Sequence, residues 1–261
     1  MYNCVHVYQE VEDCEAMNKE IKIASKYAIE AKALEKSFGE NRALRGIDLQ
    51  VDRGECLVVF GPNGAGKTTL LKILATLLKP SAGNVLIDGT DIRNKPEQIR
   101  RKISMVSHQT FLYDNLTVYE NLKFYGKMYD VVDLAQRIKD VTRWVQLESR
   151  LHDRVGTLSR GLQQRASIAR AILHDPLILF LDEPEVGLDP HASSMIKDIL
   201  CSVNSGSRTT VMTTHNLERG LDLADRIVIL DRGKVVYKES REAISEADLL
   251  KIYSQYVETG R

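Results

Sequence analysis

The sequence carries no surplus of charge: 36 lysines and arginines stand against 36 aspartates and glutamates, a formal net charge of zero. A chain without a global field draws in neither nucleic acid nor an anionic membrane, so any such partner must be met through a local surface or through another protein. Cysteine is scarce. The four, at positions 4, 14, 56 and 201, form no Cys-x-x-Cys pair and no Cys/His metal spacing, and they are too few for a disulfide framework. That usage points to a reducing, cytosolic interior, and no zinc, haem or flavin ligand set is visible. No apolar run approaches the about 20 residues that a membrane-spanning helix needs. The longest, 70–78, is interrupted by Lys72. The first residues are mixed and acidic (Glu10, Glu12, Asp13, Glu15), not a basic stretch followed by an apolar one, so no secretory signal is expected. Heptads, internal repeats and low-complexity tracts are missing as well, which excludes coiled coils and solenoids.

What is present is a chain of 261 residues, 43% hydrophobic and 28% charged, enough to bury a sizeable core. Residues 1–29 lack periodicity and read as an extension of unreadable role outside that core, with Met17 as an alternative start inside it. Strand-like segments at 29–38, 43–51 and 85–87 suggest an antiparallel layer. Between them lies a different unit: a strand at 55–60, a glycine-rich loop, and a helix whose Leu70, Ile73, Leu74, Leu77 and Leu78 recur at helical spacing. From about 110 to 174 the pattern is helical. Thr117 and Glu120 make a capping box, and Leu134, Ile138, Val141 and Val145 form one apolar stripe, so the segment reads as a helical insertion. After Asp175-Pro176 the unbroken apolar run 177–181 fits a strand buried on both faces. Runs at 209–213 and 226–230 and a terminal helix from Glu242 complete an α/β fold with a mostly parallel sheet.

The loop reads Gly61-Pro-Asn63-Gly64-Ala65-Gly66-Lys67-Thr68, followed by Thr69, and satisfies G-x-x-x-x-G-K-[ST] between a strand and a helix N-terminus. Its glycines let backbone N–H groups converge on phosphates, the helix dipole favours the anion, Lys67 supplies a point charge, and the Thr68 hydroxyl can ligate Mg²⁺. The apolar run before Asp182 and Glu183 places two carboxylates at the C-terminal edge of a sheet, where open α/β folds bind ligands. Asp182 would hold Mg²⁺ through water and Glu183 would polarise an attacking water.

Residues 158–165, Leu-Ser-Arg-Gly-Leu-Gln-Gln-Arg, precede a helix expected at 166–173 and resemble the signature motif LSGGQ-x-QR of the ATP-binding cassette (ABC) ATPases. Ser159 and Gly161 match it, and the order of the loop, this motif and Leu181-Asp182-Glu183-Pro184 is that of the family over roughly residues 30–240. The resemblance implies a P-loop NTPase with a RecA-like core, an antiparallel β subdomain and an inserted helical subdomain, occupying 30–261. It also implies roles. Gln109 matches the glutamine that contacts Mg²⁺ and water, and Asp189, in Gly187-Leu188-Asp189, matches the loop that crosses the dimer interface. His215 matches the switch histidine that senses the γ-phosphate, and Phe38 the aromatic that stacks on adenine, with Tyr27 as its alternative. His108 and His174 match no motif and read as structural. Arg160 and Leu162 depart from the family pattern, where a glycine and a glutamine are usual. The strings LSRGLQQR, ARAILHDP and GLDP look most like the haem-exporter subunits of cytochrome c maturation.

By this resemblance two copies would sandwich two ATP, and separate transmembrane permease subunits would grip a groove near Gln109, with Tyr113, Leu116 and Tyr119 as contact candidates. The chain would then sit in the cytoplasm at the inner face of the membrane, held there only through its partner. A soluble ABC assembly factor is the alternative. A P-loop kinase or GTPase would leave the signature, Asp189 and His215 as coincidences.

Overall fold

Strand β3 (Cys56–Phe60) has no polar side, and its residues divide by alternation between two cores. Val58 and Phe60 enter one hydrophobic cluster, Leu57 and Val59 the other. The same division recurs in β7 (Ile178–Asp182), where Leu179 and Leu181 face one way and Ile178 and Phe180 the other. A strand buried on both faces needs cover on both, which is what the unbroken apolar run at 177–181 anticipates. The computed structural model describes residues 25–184 and 208–257.

The central sheet has six strands in the order β10-β9-β3-β8-β7-β6. Here β6 is Ile103–Val106, β8 Thr209–Thr213, β9 Arg226–Asp231 and β10 Lys234–Ser240. All neighbours pair in parallel except β9 and β10, which form an antiparallel hairpin. A second sheet, wholly antiparallel, runs β2-β1-β4-β5, with β1 Tyr27–Phe38, β2 Asn41–Asp52, β4 Ala82–Ile87 and β5 Thr90–Asp91. Both layers expected from the sequence are therefore present. Strand β1 begins at Tyr27, and Ala28 and Ile29 are buried, so residues assigned by the sequence to the extension belong to the core.

Helix α1 (Lys67–Leu74) packs between the two sheets through Leu70, Leu71, Ile73 and Leu74. It stops four residues short of the expected end at Leu78. Thr76 turns left-handed at φ +60°, its N–H bonds the Ile73 carbonyl at 3.0 Å, and the Leu77 N–H bonds the Lys72 carbonyl at 2.8 Å. These paired bonds satisfy the last carbonyls in a Schellman closure and leave Leu77 half-exposed. A short helix α2 (Pro96–Arg100) leads to β6.

Between β6 and β7 the chain forms α3 (Val118–Met128), α4 (Leu134–Trp144) and α5 (Arg160–Ile172) on the opposite face of the central sheet. The capping box at Thr117 and Glu120 is formed as expected, and Ile138, Val141 and Val145 are fully or almost fully buried. Helices α6 (Leu217–Leu223) and α7 (Glu246–Val257) cover the same face; α7 starts four residues later than Glu242 because Arg241–Ala243 form a 3₁₀ turn.

His174, just beyond α5, is structural as expected. Its ring stacks on Tyr129 at 3.9 Å and its Nε2 lies 3.2 Å from the Ile103 carbonyl, while Nδ1 is buried without a partner. Burial pushes its pKa down to about 4 from an ordinary 6.5. The unfolded chain therefore binds the proton more tightly, so His174 adds stability that is complete above about pH 6.5 and is lost as pH falls towards 4. The loss at pH 4 is expected to be about 3 kcal/mol. Urea unfolding across that range should show a steeper fall in the wild type than in His174→Gln; equal slopes would contradict it.

Candidate nucleotide site

The chain enters the glycine loop directly from β3, and two glycines make the path possible. Gly61 has φ +152°, and a Cβ there would lie 2.2 Å from the Leu230 carbonyl oxygen. Gly66 has φ +107°, and its Cβ would lie 2.6 Å from the Ala43 carbonyl oxygen. No side chain caps the N-terminus of α1 and no acidic residue sits in its first turn, so the positive end of the helix is open to an anion. Lys67 is buried, and its ammonium donates to the carbonyls of Gly61 at 2.7 Å and Pro62 at 3.2 Å, which folds the loop around it.

The strand order brings the carboxyl ends of β3, β8, β7 and β6 to one edge. There Asp182, almost wholly buried, accepts hydrogen bonds on Oδ1 from Thr68 at 3.1 Å and from Thr213 at 2.7 Å. Glu183 follows with a left-handed backbone (φ +48°), a conformation rare outside glycine and common where a side chain must be aimed. Its N–H is held by both the carbonyl (3.0 Å) and the hydroxyl (3.1 Å) of Thr213. The Glu183 carboxylate lies 3.6 Å from Lys67 Nζ through Oε1 and 3.7 Å from His215 Nδ1 through Oε2.

A cavity of about 430 Å³ is lined by Phe38, by residues 62–69 including Asn63, Gly64, Ala65, Gly66, Thr68 and Thr69, and by Glu183. Phe38 is half-exposed there with the Lys36 ammonium 5.0 Å from its ring, whereas Tyr27 lies outside the lining. Asn41, Arg42, Arg45 and Arg232 also line the cavity, and no motif announces them. Arg232 arrives from the β9–β10 turn, which the Arg45 N–H ties to β2 by a 2.8 Å bond to the Gly233 carbonyl. Only pairing between distant strands puts these cations together.

Other expected residues stand apart. Gln109 is exposed in a bend after β6, its backbone fastened through the Ser107 hydroxyl, and it does not line the cavity. Ser159 and Gly161 lie outside the lining too. Helix α5 starts at Arg160, six residues before the expected start, because Ser159 caps it by accepting the Leu162 N–H at 3.4 Å. Arg160 is exposed and Leu162 packs against the core, so the two departures from the family pattern fill ordinary helix positions. Asp189, with Gly187 and Leu188, lies outside the described residues. His108, read from the sequence as structural, instead has Nε2 3.7 Å from Glu183 Oε2.

The profile of the family described as ABC transporter matches residues 44–186. The chain belongs to the ABC transporter family. It is 33% identical over 210 residues to the ABC transporter ATP-binding protein NatA of Bacillus subtilis (strain 168), covering 79% of this chain and 85% of that protein. It is 35% identical over 226 residues to the Nod factor export ATP-binding protein I of Rhizobium sp. (strain N33), covering 85% and 74% of the two. An ATP-binding subunit of an ABC transporter superposes with a TM-score of 0.77 at 28% identity, over 86% of this chain and 98% of that one. A dimeric ATP-binding cassette in a post-hydrolysis state, bound to ADP and Pi, gives 0.74 at 29% identity, over 82% and 98%. This member of the family is an ATP-binding subunit and an ATPase, with the P-loop NTPase fold. Among its described residues no helix is long and apolar enough to cross a membrane.

Proposed function

We propose that this ATPase powers export through separate transmembrane subunits, as a pair of cassettes holding two ATP between them. The observation that carries the reading is the cavity that unites Phe38, the phosphate loop and Glu183 while leaving Ser159 and Gly161 outside. A signature serine at an exposed helix N-terminus has no nucleotide to meet in its own chain, so a second copy would supply it. The dimeric relative bound to ADP and Pi supports that arrangement. Relatives named for Nod factor export, linearmycin resistance and daunorubicin resistance support export as the direction. The likeness to haem exporters rests on three short strings alone.

In the loaded site Phe38 would stack on the adenine, and the amides of Gly64, Gly66, Lys67, Thr68 and Thr69 would cradle the phosphates with the Lys67 ammonium. Glu183 accepts a proton from a water as the water oxygen bonds to the terminal phosphorus and the bond to the ADP oxygen breaks, which yields ADP and phosphate. His215 flanks that carboxylate. The oxygens of Thr68 and Asp182, 3.1 Å apart, form a hard donor pair suited to Mg²⁺, with Gln109 as a further ligand by its motif. When bound, the ion supplies charge neutralisation to the phosphates. Asp182→Asn is expected to raise the magnesium concentration for half-maximal turnover by about tenfold; an unchanged magnesium dependence would remove Asp182 from this role.

Peripheral attachment at the cytoplasmic face would come from the membrane subunits. Of the contact candidates, Tyr113 is half-exposed and meets Phe124 edge-on at 5.4 Å, while Leu116 and Tyr119 are partly buried. Phe111 and Phe124 extend the exposed aromatic surface, and Ser167 reaches the Thr110 carbonyl at 3.1 Å, which ties this segment to the signature helix. Purification of the tagged chain from detergent-solubilised membranes should bring down a stoichiometric multi-helix membrane protein. Recovery with soluble partners alone, and none of the chain at membranes, would favour an assembly factor.

A further inference from the structure

No motif claims His108, yet the sheet places it as the mirror of His215. Strand β7 runs between β6 and β8, and Glu183 is the residue after its end. Each neighbouring strand carries a histidine two residues past its last one, His108 after Val106 and His215 after Thr213. The two imidazoles reach the same oxygen, Glu183 Oε2, at 3.7 Å each, while Oε1 faces Lys67 at 3.6 Å.

That arrangement has a physical consequence. The backbone of Glu183 is held by Thr213, but three side-chain torsions separate it from the carboxylate. Left to Lys67 alone, the carboxylate would turn toward the ammonium, 3.6 Å from Oε1, and away from the position where it meets the attacking water. Imidazoles on both sides of Oε2 oppose that swing, and removing one leaves a lopsided pair. The His108 side chain is itself 56% exposed, so it contributes little to the core.

We propose that His108 is a second positioning residue for hydrolysis, acting with His215 to hold Glu183 Oε2 where the carboxylate meets the attacking water. This rests on the reading of Glu183 as the carboxylate that takes the water's proton. The test uses the full chain, with steady-state and single-turnover ATP hydrolysis of His108→Ala, His108→Gln, Glu183→Gln and the Glu183→Gln/His108→Ala double variant.

His108→Ala is expected to lower kcat about tenfold with KM for ATP within about twofold, the signature of a misplaced group in place of lost binding. His108→Gln, whose Nε2 can reach the same oxygen, should recover most of the loss. In the Glu183→Gln background, His108→Ala should cost nothing further, because its effect passes through the carboxylate. An unchanged kcat in His108→Ala, a rise in KM matching the fall in kcat, no recovery with glutamine, or an equal loss in the Glu183→Gln background would each overturn the proposal. The two ideas fail differently: full turnover in Glu183→Gln removes the Glu183 reading, whereas an inactive Glu183→Gln beside an unaffected His108→Ala removes only His108.

Discussion

Glu183→Gln is expected to slow ATP turnover by roughly 10²–10⁴-fold, the range for loss of a general base, while ATP still binds. Glutamine keeps the shape of the side chain and the Thr213 contacts belong to the backbone N–H, so the left-handed turn at residue 183 survives the change. What disappears is the negative charge facing Lys67, His108 and His215 at 3.6–3.7 Å. Its removal frees the Lys67 ammonium for the phosphates, so binding is retained or strengthened, and an ATP-bound dimer should accumulate. Phosphate release and gel filtration with ATP read both effects. Undiminished turnover would show that another group takes the proton.

Lys67→Ala acts on the opposite term. The ammonium is the one basic side chain inside the phosphate loop, and the loss of its charge-assisted bonds is expected to weaken ATP binding roughly 100-fold, about 2.7 kcal/mol. Folding suffers less. Of the two carbonyls that lose their donor, that of Gly61 is buried, but Pro62 lines the open cavity, where water can replace the ammonium, so the melting temperature without nucleotide should fall by only a few degrees. Because Lys67 is buried, a collapse of the nucleotide-free protein is the outcome to look for. It would show that the loop clasp supports the core and not only the ligand.

Local signals were legible where a few neighbouring residues decide the geometry. The glycine loop, the Thr117 capping box and the doubly buried β7 all follow from short-range sterics, capping and burial. Ends and edges are less legible. The leucine period overran α1 because Thr76, with no glycine to mark it, adopts the left-handed closing position. Helix α5 began early because a capping serine preceded a polar first turn. Strand β10 leaves little trace in the sequence because it is a half-exposed edge strand, joined to β9 through Arg232 and Gly233, both at positive φ, without the usual asparagine or aspartate.

By itself the sequence determined the family and the phosphate loop, and it nominates Asp182 and Glu183 as the carboxylates of the site, because each is written in residues within a few positions of one another. Tertiary structure decided which distant groups share a space. Arg42, Arg45 and Arg232 meet around the cavity through the contact of β2 with the β9–β10 turn, and His108 and His215 meet Glu183 because β7 is paired between β6 and β8. Strand order is set by which apolar faces bury best over the whole sheet, a collective property that no local spacing records.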